Sequence, residues 1–263
     1  MKGFNNIEQR IYDSSCLTDF LVCHRRFYWR HIRGYSPLLK SSALHFGGAI
    51  HEGLRVHYEG GKDEEAIKRY EEAVEGLRED KKRTIVRGKE ILQQYLKRYI
   101  TEPFKVKRVE VKFEVVMPGG SVMRGIIDLV IEWDGVIYIL DHKTTSQMGA
   151  SFFDGFSRSF QMMNYVYACR ELLGECGGFV VSGLLVAKTK TDFARNSYSV
   201  SDKQLQAHSL NYLQVVADLE RCIMRKEFYE NGASCSYYGR CPYRDLCEYG
   251  EVKGIVEQYK KEE

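Results

Sequence analysis

Two aspartates lie on neighbouring apolar segments that we expect to pair as a β-hairpin. Residues 124–132 and 136–143 are rich in β-branched side chains, and Asp134-Gly135 separates them. An Asp-Gly pair between such segments is the strongest local signal for a two-residue hairpin turn. With that turn Asp128 faces Asp141, and directly opposed residues have Cβ atoms roughly 4.5–5.5 Å apart.

A lysine completes a group of side chains that could do chemistry. Lys143 follows Asp141 by two residues, so both side chains project from one face of the strand. Two facing carboxylates repel each other and are costly to desolvate unless a cation compensates them. Asp128, Asp141 and Lys143 therefore predict a divalent-metal site with a cationic helper. The alternative is a buried structural ion pair, which would leave one carboxylate unmatched.

The elements that must position these groups follow from apolar spacing and capping residues. A helix over 15–32 would begin at Ser14 or Ser15 as its N-cap. The two central strands are apolar on both faces, so we expect helices on both sides of a mixed sheet. The full prediction is helices over 15–32, 47–58, 64–78, 80–100, 157–173, 202–227 and 252–260, and strands over 105–117, 124–132, 136–143, 178–188 and 196–200.

Composition limits the function classes only loosely. The chain has 263 residues, 44% of them hydrophobic, and a net charge of +3, so its overall charge gives no argument for nucleic acid. Residues 24–33 interleave basic and aromatic side chains, which suits phosphate contacts through Arg25 and Arg26 together with base stacking. An amphipathic helix with a solvated basic face is the open alternative.

The cysteines and the N-terminal sequence bear on location and on metal binding. Residues 1–6 are polar, and no apolar run approaches the ~18 residues that span a bilayer, so we expect a cytoplasmic protein without membrane contact. Its eight cysteines are then free thiols or metal ligands rather than disulfides. Cys235, Cys241 and Cys247 lie in one short irregular segment, which predicts a metal centre with a fourth ligand elsewhere.

Four motifs in order resemble the RecB-like branch of the PD-(D/E)XK nuclease superfamily. They are the Asp128 and Asp141-His142-Lys143 strands, the Gly-x-x-x-His helix ending at His51, the Gln161-x-x-x-Tyr165 helix, and the Cys-Pro-Tyr-Arg-Asp-Leu-Cys segment ending at Cys247. CRISPR-associated RecB-like exonucleases and AddB-type nuclease domains belong to this branch. The resemblance implies a restriction-endonuclease-like α/β fold, with the N-terminal helical region and the Cys-rich C-terminal tail packed together.

The resemblance also implies an organisation and a set of partners. It implies one nuclease domain over 1–263, with a helical part at about 15–100, a catalytic sheet at about 105–200, and a C-terminal helix and iron–sulfur tail at about 201–250. The expected activity is exonuclease action on single-stranded DNA or DNA ends in recombination, repair or CRISPR-type processing. A structure-specific endonuclease, an RNase and a non-catalytic DNA-binding subunit remain alternatives. Because the chain has no phosphate-loop motif, unwinding would come from a partner helicase or recombination protein.

The site roles carried over by resemblance concern a Mn²⁺ or Mg²⁺ ion. His51, Asp128, Asp141 and the backbone carbonyl of His142 would bind the ion. Lys143 would orient or deprotonate the attacking water, or neutralise developing negative charge. A histidine ligand favours Mn²⁺ over Mg²⁺. By the same resemblance Gln161 and Tyr165 would contact DNA phosphate or the site lysine.

The resemblance further implies that the C-terminal cysteines hold a 4Fe–4S cluster. Its fourth ligand would come from the N-terminal helix, where Cys23 matches the expected place and Cys16 is a rival. The first spacing in this tail is longer than is common in the family, and zinc is the alternative metal.

Overall fold

The computed structural model describes residues 10–39, 41–236 and 239–261, so the polar residues 1–6 used in the location argument lie outside the described part. The chain divides into two compact units. Unit 1 comprises residues 1–39, 114–125 and 203–263, and unit 2 comprises residues 40–113 and 126–202.

The elements alternate between helices and strands through most of the chain. In order they are β1 (Ile11–Asp13), α1 (Ser14–Val22), α2 (His24–Phe27), a π-helical turn (Tyr28–Ile32), β2 (Tyr35–Pro37), α3 (Ser42–Tyr58), α4 (Asp63–Ala73), α5 (Ile85–Arg98), β3 (Lys105–Val116), β4 (Val122–Trp133), β5 (Val136–Thr145), α6 (Ala150–Asp154), α7 (Phe160–Leu173), β6 (Gly178–Leu185), β7 (Phe193–Ser199), α8 (Asp202–Arg225), a 3₁₀ turn (Gly232–Ser234), α9 (Arg244–Tyr249), α10 (Lys253–Val256) and β8 (Tyr259–Lys261).

A mixed sheet forms the centre of unit 2. Its strands follow in the order β4, β5, β6 and β7, with β3 beside β4. The β4–β5 and β6–β7 pairs are antiparallel and the β5–β6 pair is parallel. The chain makes the parallel connection through α7, because parallel strands need a long crossover.

The hairpin at the centre of this sheet has the predicted register. Trp133 pairs with Val136 and Leu129 pairs with Leu140. The turn residues Asp134 and Gly135 have φ values of 50° and 79°, as a type I′ hairpin turn requires. The Asp-Gly turn therefore sets the register that determines which side chains of β4 and β5 share a face.

Helices cover both faces of the sheet, which confirms the α/β prediction. On the face of Leu184, α3, α4 and α5 bury an apolar cluster that includes Phe46, Ile50, Tyr70, Leu92 and Tyr95. On the opposite face, a hydrogen bond joins Lys143 of β5 to Gln161 of α7. The sheet is buried on both sides, so its central strands carry no polar outer face.

Unit 1 joins segments from both ends of the chain. An aromatic cluster of Trp29, Tyr35, Tyr243 and Tyr259 packs with Leu246. The β2 strand pairs antiparallel with β8. Within the same unit, β1 pairs with the first residues of β4, Val122–Arg124.

Three local predictions were wrong in unit 1. The helix expected over 15–32 breaks at Cys23, whose φ of −166° and ψ of 120° are extended. Its N-cap is Asp13, which accepts the Cys16 N–H, and not Ser14 or Ser15. The helix expected over 252–260 ends at Val256, and the chain continues into β8.

No helix in the described ranges is long and apolar enough to cross a lipid bilayer.

Candidate active site

The two aspartates lie where the β4–β5 ladder ends. The last bridged pair is Leu129 with Leu140, one position before Asp128 and Asp141. In place of a ladder bond, the His142 N–H donates to Asp128 Oδ2 at 2.9 Å. Although burial alone would raise the pKa of Asp128, His51 and this amide hold it well below its usual range. Asp128 is therefore an ionised carboxylate at the opening of the hairpin.

Asp141 is paired with the site lysine. Lys143 Nζ lies 2.7 Å from Asp141 Oδ2, and the Asp141 side chain is 4% exposed. Burial raises the pKa of Asp141, and the charge of Asp128 raises it further while Lys143 opposes the shift. Burial would lower the pKa of Lys143, but Asp141 raises it above its ordinary value. The lysine therefore stays charged beside two acidic groups.

His51 reaches the same acidic pair from α3. Its Nδ1 lies 3.3 Å from Asp128 Oδ2. Burial would lower the pKa of His51, but the charge and hydrogen bond of Asp128 raise it to about 9. The helix can lie close to the sheet because a Cβ at Gly47 would already be 3.1 Å from Thr144 Oγ1. The Gly-x-x-x-His spacing thus combines close packing with a nitrogen aimed at the carboxylate.

The first turn of α7 supplies a second contact to the lysine. Ser159 caps this helix by accepting the Met162 N–H. Lys143 Nζ donates to Gln161 Oε1 at 3.1 Å, and Gln161 Nε2 donates to the Tyr165 hydroxyl at 3.0 Å. Gln161 therefore holds Lys143 on the side opposite α3, and Tyr165 holds Gln161.

The donor set of this site has the chemistry of a divalent-metal site. Two carboxylates and one imidazole suit Mn²⁺ or Mg²⁺, and the buried Asp141 Oδ2 has Lys143 Nζ beside it at 2.7 Å. Lys143 and protonated His51 now neutralise the two acids. In the described ranges, no three His, Cys, Asp or Glu side chains converge closely enough to hold an ion. The residues fit such an ion by donor type and charge.

The side chains of two further residues, His142 and Glu110, belong to this site but were not predicted from the sequence. The His142 ring is 2% exposed and stacks on Tyr58 with the ring centres 5.5 Å apart, and among the described residues neither ring nitrogen has a hydrogen-bond partner. Burial lowers its pKa to about 3, so the ring is neutral. Glu110 adopts a φ of 48° in β3 and lines a small cleft together with Asp128, His51 and His142.

The position of His142 next to Asp141 is the one sequence signal that could have predicted a role for its ring. Side chains alternate along a strand, so the His142 ring must face α3 while Asp141 and Lys143 face α7. The left-handed backbone of Glu110 carries no sequence signal, because glycine and asparagine are the residues that favour it.

The four cysteines predicted as metal ligands lie in unit 1. Cys23 Sγ accepts the Asn231 N–H at 3.3 Å, and the Cys241 N–H donates to the Cys235 carbonyl at 2.9 Å. Cys241 interacts electrostatically with Cys23 and Cys235, and Cys247 with Cys241. The rival ligand Cys16 is 5% exposed in the α1 core and interacts instead with Asp13 and Asp19. The Asn231 N–H thus links Cys23 to the segment that precedes Cys235.

Arg25 and Arg26 are engaged within unit 1. Arg26 Nε lies 2.7 Å from Asp19 Oδ1. The Arg25 guanidinium lies 5.1 Å from the centre of the Tyr28 ring and 3.6 Å from Glu230. Their contact with DNA stays a prediction, and any phosphate would compete with these internal partners.

Comparisons with known proteins bear on the family and the fold of this chain. Residues 14–248 match the family model of the PD-(D/E)XK nuclease superfamily. A structure described as a "putative exonuclease" from Eubacterium rectale is similar with a TM-score of 0.59 and 17% identity over 94% of this chain and 90% of that one. A structure described as SSO0001 is similar with a TM-score of 0.37 and 13% identity over 89% of this chain and 97% of that one, too low to establish a shared fold. No curated protein matches the chain.

Proposed function

Because the chain belongs to the PD-(D/E)XK nuclease superfamily, we propose that it is a metal-dependent deoxyribonuclease acting at Asp128, Asp141 and Lys143. The observation that carries the proposal is the ion pair of 2.7 Å between Lys143 and Asp141, formed where His51 also contacts Asp128. A simple structural ion pair would need one acid and one base, whereas two such pairs, Asp141 with Lys143 and Asp128 with His51, converge at this site.

The metal ligands in this proposal are Asp128, Asp141, His51 and the backbone carbonyl of His142. A divalent cation bound there would polarise the scissile phosphate and lower the pKa of the attacking water. The imidazole ligand favours Mn²⁺ over Mg²⁺. His51 must then lose the proton that it shares with Asp128, and Lys143 must release Asp141 Oδ2.

The lysine and its two partners act on charge and position. Lys143 Nζ, no longer paired with Asp141, can neutralise negative charge that develops on the phosphate or orient the attacking water. Gln161 fixes the direction of the ammonium through its 3.1 Å hydrogen bond. Tyr165 orients the Gln161 amide, so that both act on the reaction through the lysine.

The mode of attack that we propose is exonucleolytic, on single-stranded DNA or DNA ends. The similarity of the fold to that of the Eubacterium rectale protein is consistent with this mode. DNA is then the substrate and partner, and a helicase or recombination protein would supply unwound strands. We also propose that Cys23, Cys235, Cys241 and Cys247 hold a 4Fe–4S cluster with a structural role.

Cleavage of end-labelled linear DNA tests the enzyme proposal. We expect products from single- or double-stranded substrates in Mn²⁺ and Mg²⁺, none in EDTA, and a rate at least about 10²-fold lower for Lys143→Ala. Lys107→Ala is the matched control, because Lys107 is an exposed lysine that pairs with Glu132 in the same unit. The ladder from each labelled end gives the polarity.

Three other results would contradict parts of this proposal. Cleavage by Lys143→Ala at the wild-type rate would show that the reaction does not need the lysine. Cleavage of internally nicked, hairpin or RNA substrates in preference to DNA ends would favour an endonuclease or RNase. DNA binding that survives EDTA, without cleavage in either metal, would favour a binding subunit.

A further inference from the structure

Three phenylalanines lie close together between β5 and α7. Phe152 and Phe153 belong to α6, which has no buried residue, and Phe156 follows it. The Phe152 ring centre lies 4.9 Å from that of Phe153 and 5.2 Å from that of Phe156, with the planes steeply inclined. We call Phe152, Phe153 and Phe156 the phenylalanine cluster. All three rings are half-buried, so each keeps part of its apolar surface accessible to solvent.

The phenylalanine cluster adjoins the site lysine. Lys143 pairs with Gly183 across the parallel β5–β6 ladder, and paired residues of a sheet project from the same face. A Cβ at Gly183 would lie 3.0 Å from Phe152 Cε1 and 3.1 Å from Met148 Sδ. Gly183 lies about 5 Å from Lys143 in the strand-to-strand direction, so the Phe152 ring lies on the Lys143 face, over the neighbouring strand.

Two hydrogen bonds to the Phe153 carbonyl hold the main chain of the phenylalanine cluster in place. The Tyr198 hydroxyl donates to the Phe153 carbonyl at 2.6 Å, and the Phe156 N–H donates to the same carbonyl at 2.9 Å. Five residues after Phe156, Gln161 contacts Lys143. The cluster is thus fixed between β7 and the turn that carries Gln161, and its rings border the catalytic face.

We propose that the phenylalanine cluster is a subsite on which unpaired bases of a nucleic-acid strand stack beside the scissile phosphate. This inference rests on the proposed nuclease function and assigns the substrate contact next to the site. Aromatic rings stack on every base, whereas the faces of paired bases are covered inside a duplex. Exposed Arg158 follows the cluster and offers a cation for the backbone of the same strand.

Binding of labelled oligonucleotides to Lys143→Ala protein tests the subsite without cleavage. In that background, Phe156→Ala should weaken binding of single-stranded DNA about 5- to 100-fold, the range for one lost stacking contact. Binding of a single strand of the same length built from abasic sites should not change. Tyr249→Ala, which removes an exposed ring in unit 1 (61% exposed), should leave both affinities as they are.

Two further substitutions separate stacking from packing. Phe156→Leu keeps an apolar side chain and should bind single-stranded DNA as weakly as Phe156→Ala, whereas Phe156→Trp should keep the original affinity. Each variant should show the thermal unfolding midpoint of its parent within a few degrees.

The inference is overturned if Phe156→Ala binds single-stranded DNA as tightly as its parent. It is also overturned if Phe156→Leu restores that binding, or if the abasic strand loses as much affinity as the normal one. These outcomes leave the cleavage assay untouched, so a wild-type protein that cuts DNA would keep its proposed function while losing this subsite.

Discussion

Arg195 organises the buried polar groups behind the His142 ring. Its guanidinium donates to both oxygens of Glu102 and to the hydroxyls of Tyr58 and Tyr95. It also lies 3.7 Å from the centre of the Tyr99 ring. The side chains of Arg195 and Glu102 are 10% and 12% exposed, so almost every partner lies within the protein.

Arg195→Ala should lower the free energy of unfolding by about 3–5 kcal/mol, because it removes the cation paired with the largely buried Glu102 carboxylate and leaves that group only the hydrogen bond from Tyr58. Lys107→Ala is the control, since the Lys107 side chain is 47% exposed and solvent screens its pair with Glu132. Urea unfolding of the three proteins measures the difference. Equal losses in the two variants would show that the Arg195 network is no more stabilising than a surface pair.

The sequence could reveal the acids and the lysine but not this network. Asp128, Asp141 and Lys143 are close in sequence on one hairpin, and local turn chemistry sets their register. Arg195 and Glu102 are separated by 93 residues, and nothing in their neighbours' periodicity links them. The pairing of distant side chains depends on how helices dock on the sheet, which local propensity does not determine.

Close packing of α3, α4 and α5 is the main feature at the element scale. A Cβ at Gly88 of α5 would lie 1.9 Å from the Tyr70 hydroxyl and 2.9 Å from Phe46 Cε2. Tyr70 and Phe46 are both fully buried. Gly88 therefore lets the three helices meet where the larger rings occupy the space between them.

Gly88→Ala should destabilise the protein by about 1–3 kcal/mol, although alanine is the better helix former. Gly48→Ala in α3 is the matched control, because nothing lies within 4 Å of its Cβ position. That variant should be as stable as the wild type or more stable by up to about 1 kcal/mol. Thermal unfolding of both variants measures the contrast, and a stabilised Gly88→Ala protein would contradict the packing account.

Element boundaries were predictable where one residue's chemistry decides them. The helix over 47–58 was recognised, but it begins at Ser42, and the strands around the Asp-Gly turn were correct. The break of the first helix at Cys23 was missed, because its residues all tolerate a helix. The Asn231 N–H donates to Cys23 Sγ, a contact between residues far apart in sequence. Tertiary structure therefore overrides helix propensity at Cys23.

At the scale of the whole molecule, unit 1 is assembled from three separate stretches of sequence. Its C-terminal strand β8 pairs with β2, and Trp29 Nε1 donates to Cys247 Sγ at 3.3 Å. Such non-local pairing gives no local sequence signal, which is why a helix was expected where β8 forms. The cysteine positions were the one sequence clue that the two ends of the chain meet.

The proposed 4Fe–4S cluster would join these N- and C-terminal segments covalently through metal–thiolate bonds. Its loss should therefore affect both metal content and stability. After anaerobic purification we expect brown protein with absorbance at about 400 nm and roughly four iron atoms per chain. Cys23→Ser should lose most of this iron and unfold at a lower temperature.

Cys16→Ser is the control for that experiment, because Cys16 lies in the α1 core and not with the C-terminal thiols. It should lose some stability, since a hydroxyl replaces a buried thiol, but keep its full iron content. Colourless wild-type protein with stoichiometric zinc would show that these cysteines bind zinc and not an iron–sulfur cluster. Full iron in Cys23→Ser together with its loss in Cys16→Ser would instead make Cys16 the ligand that joins the two ends of the chain.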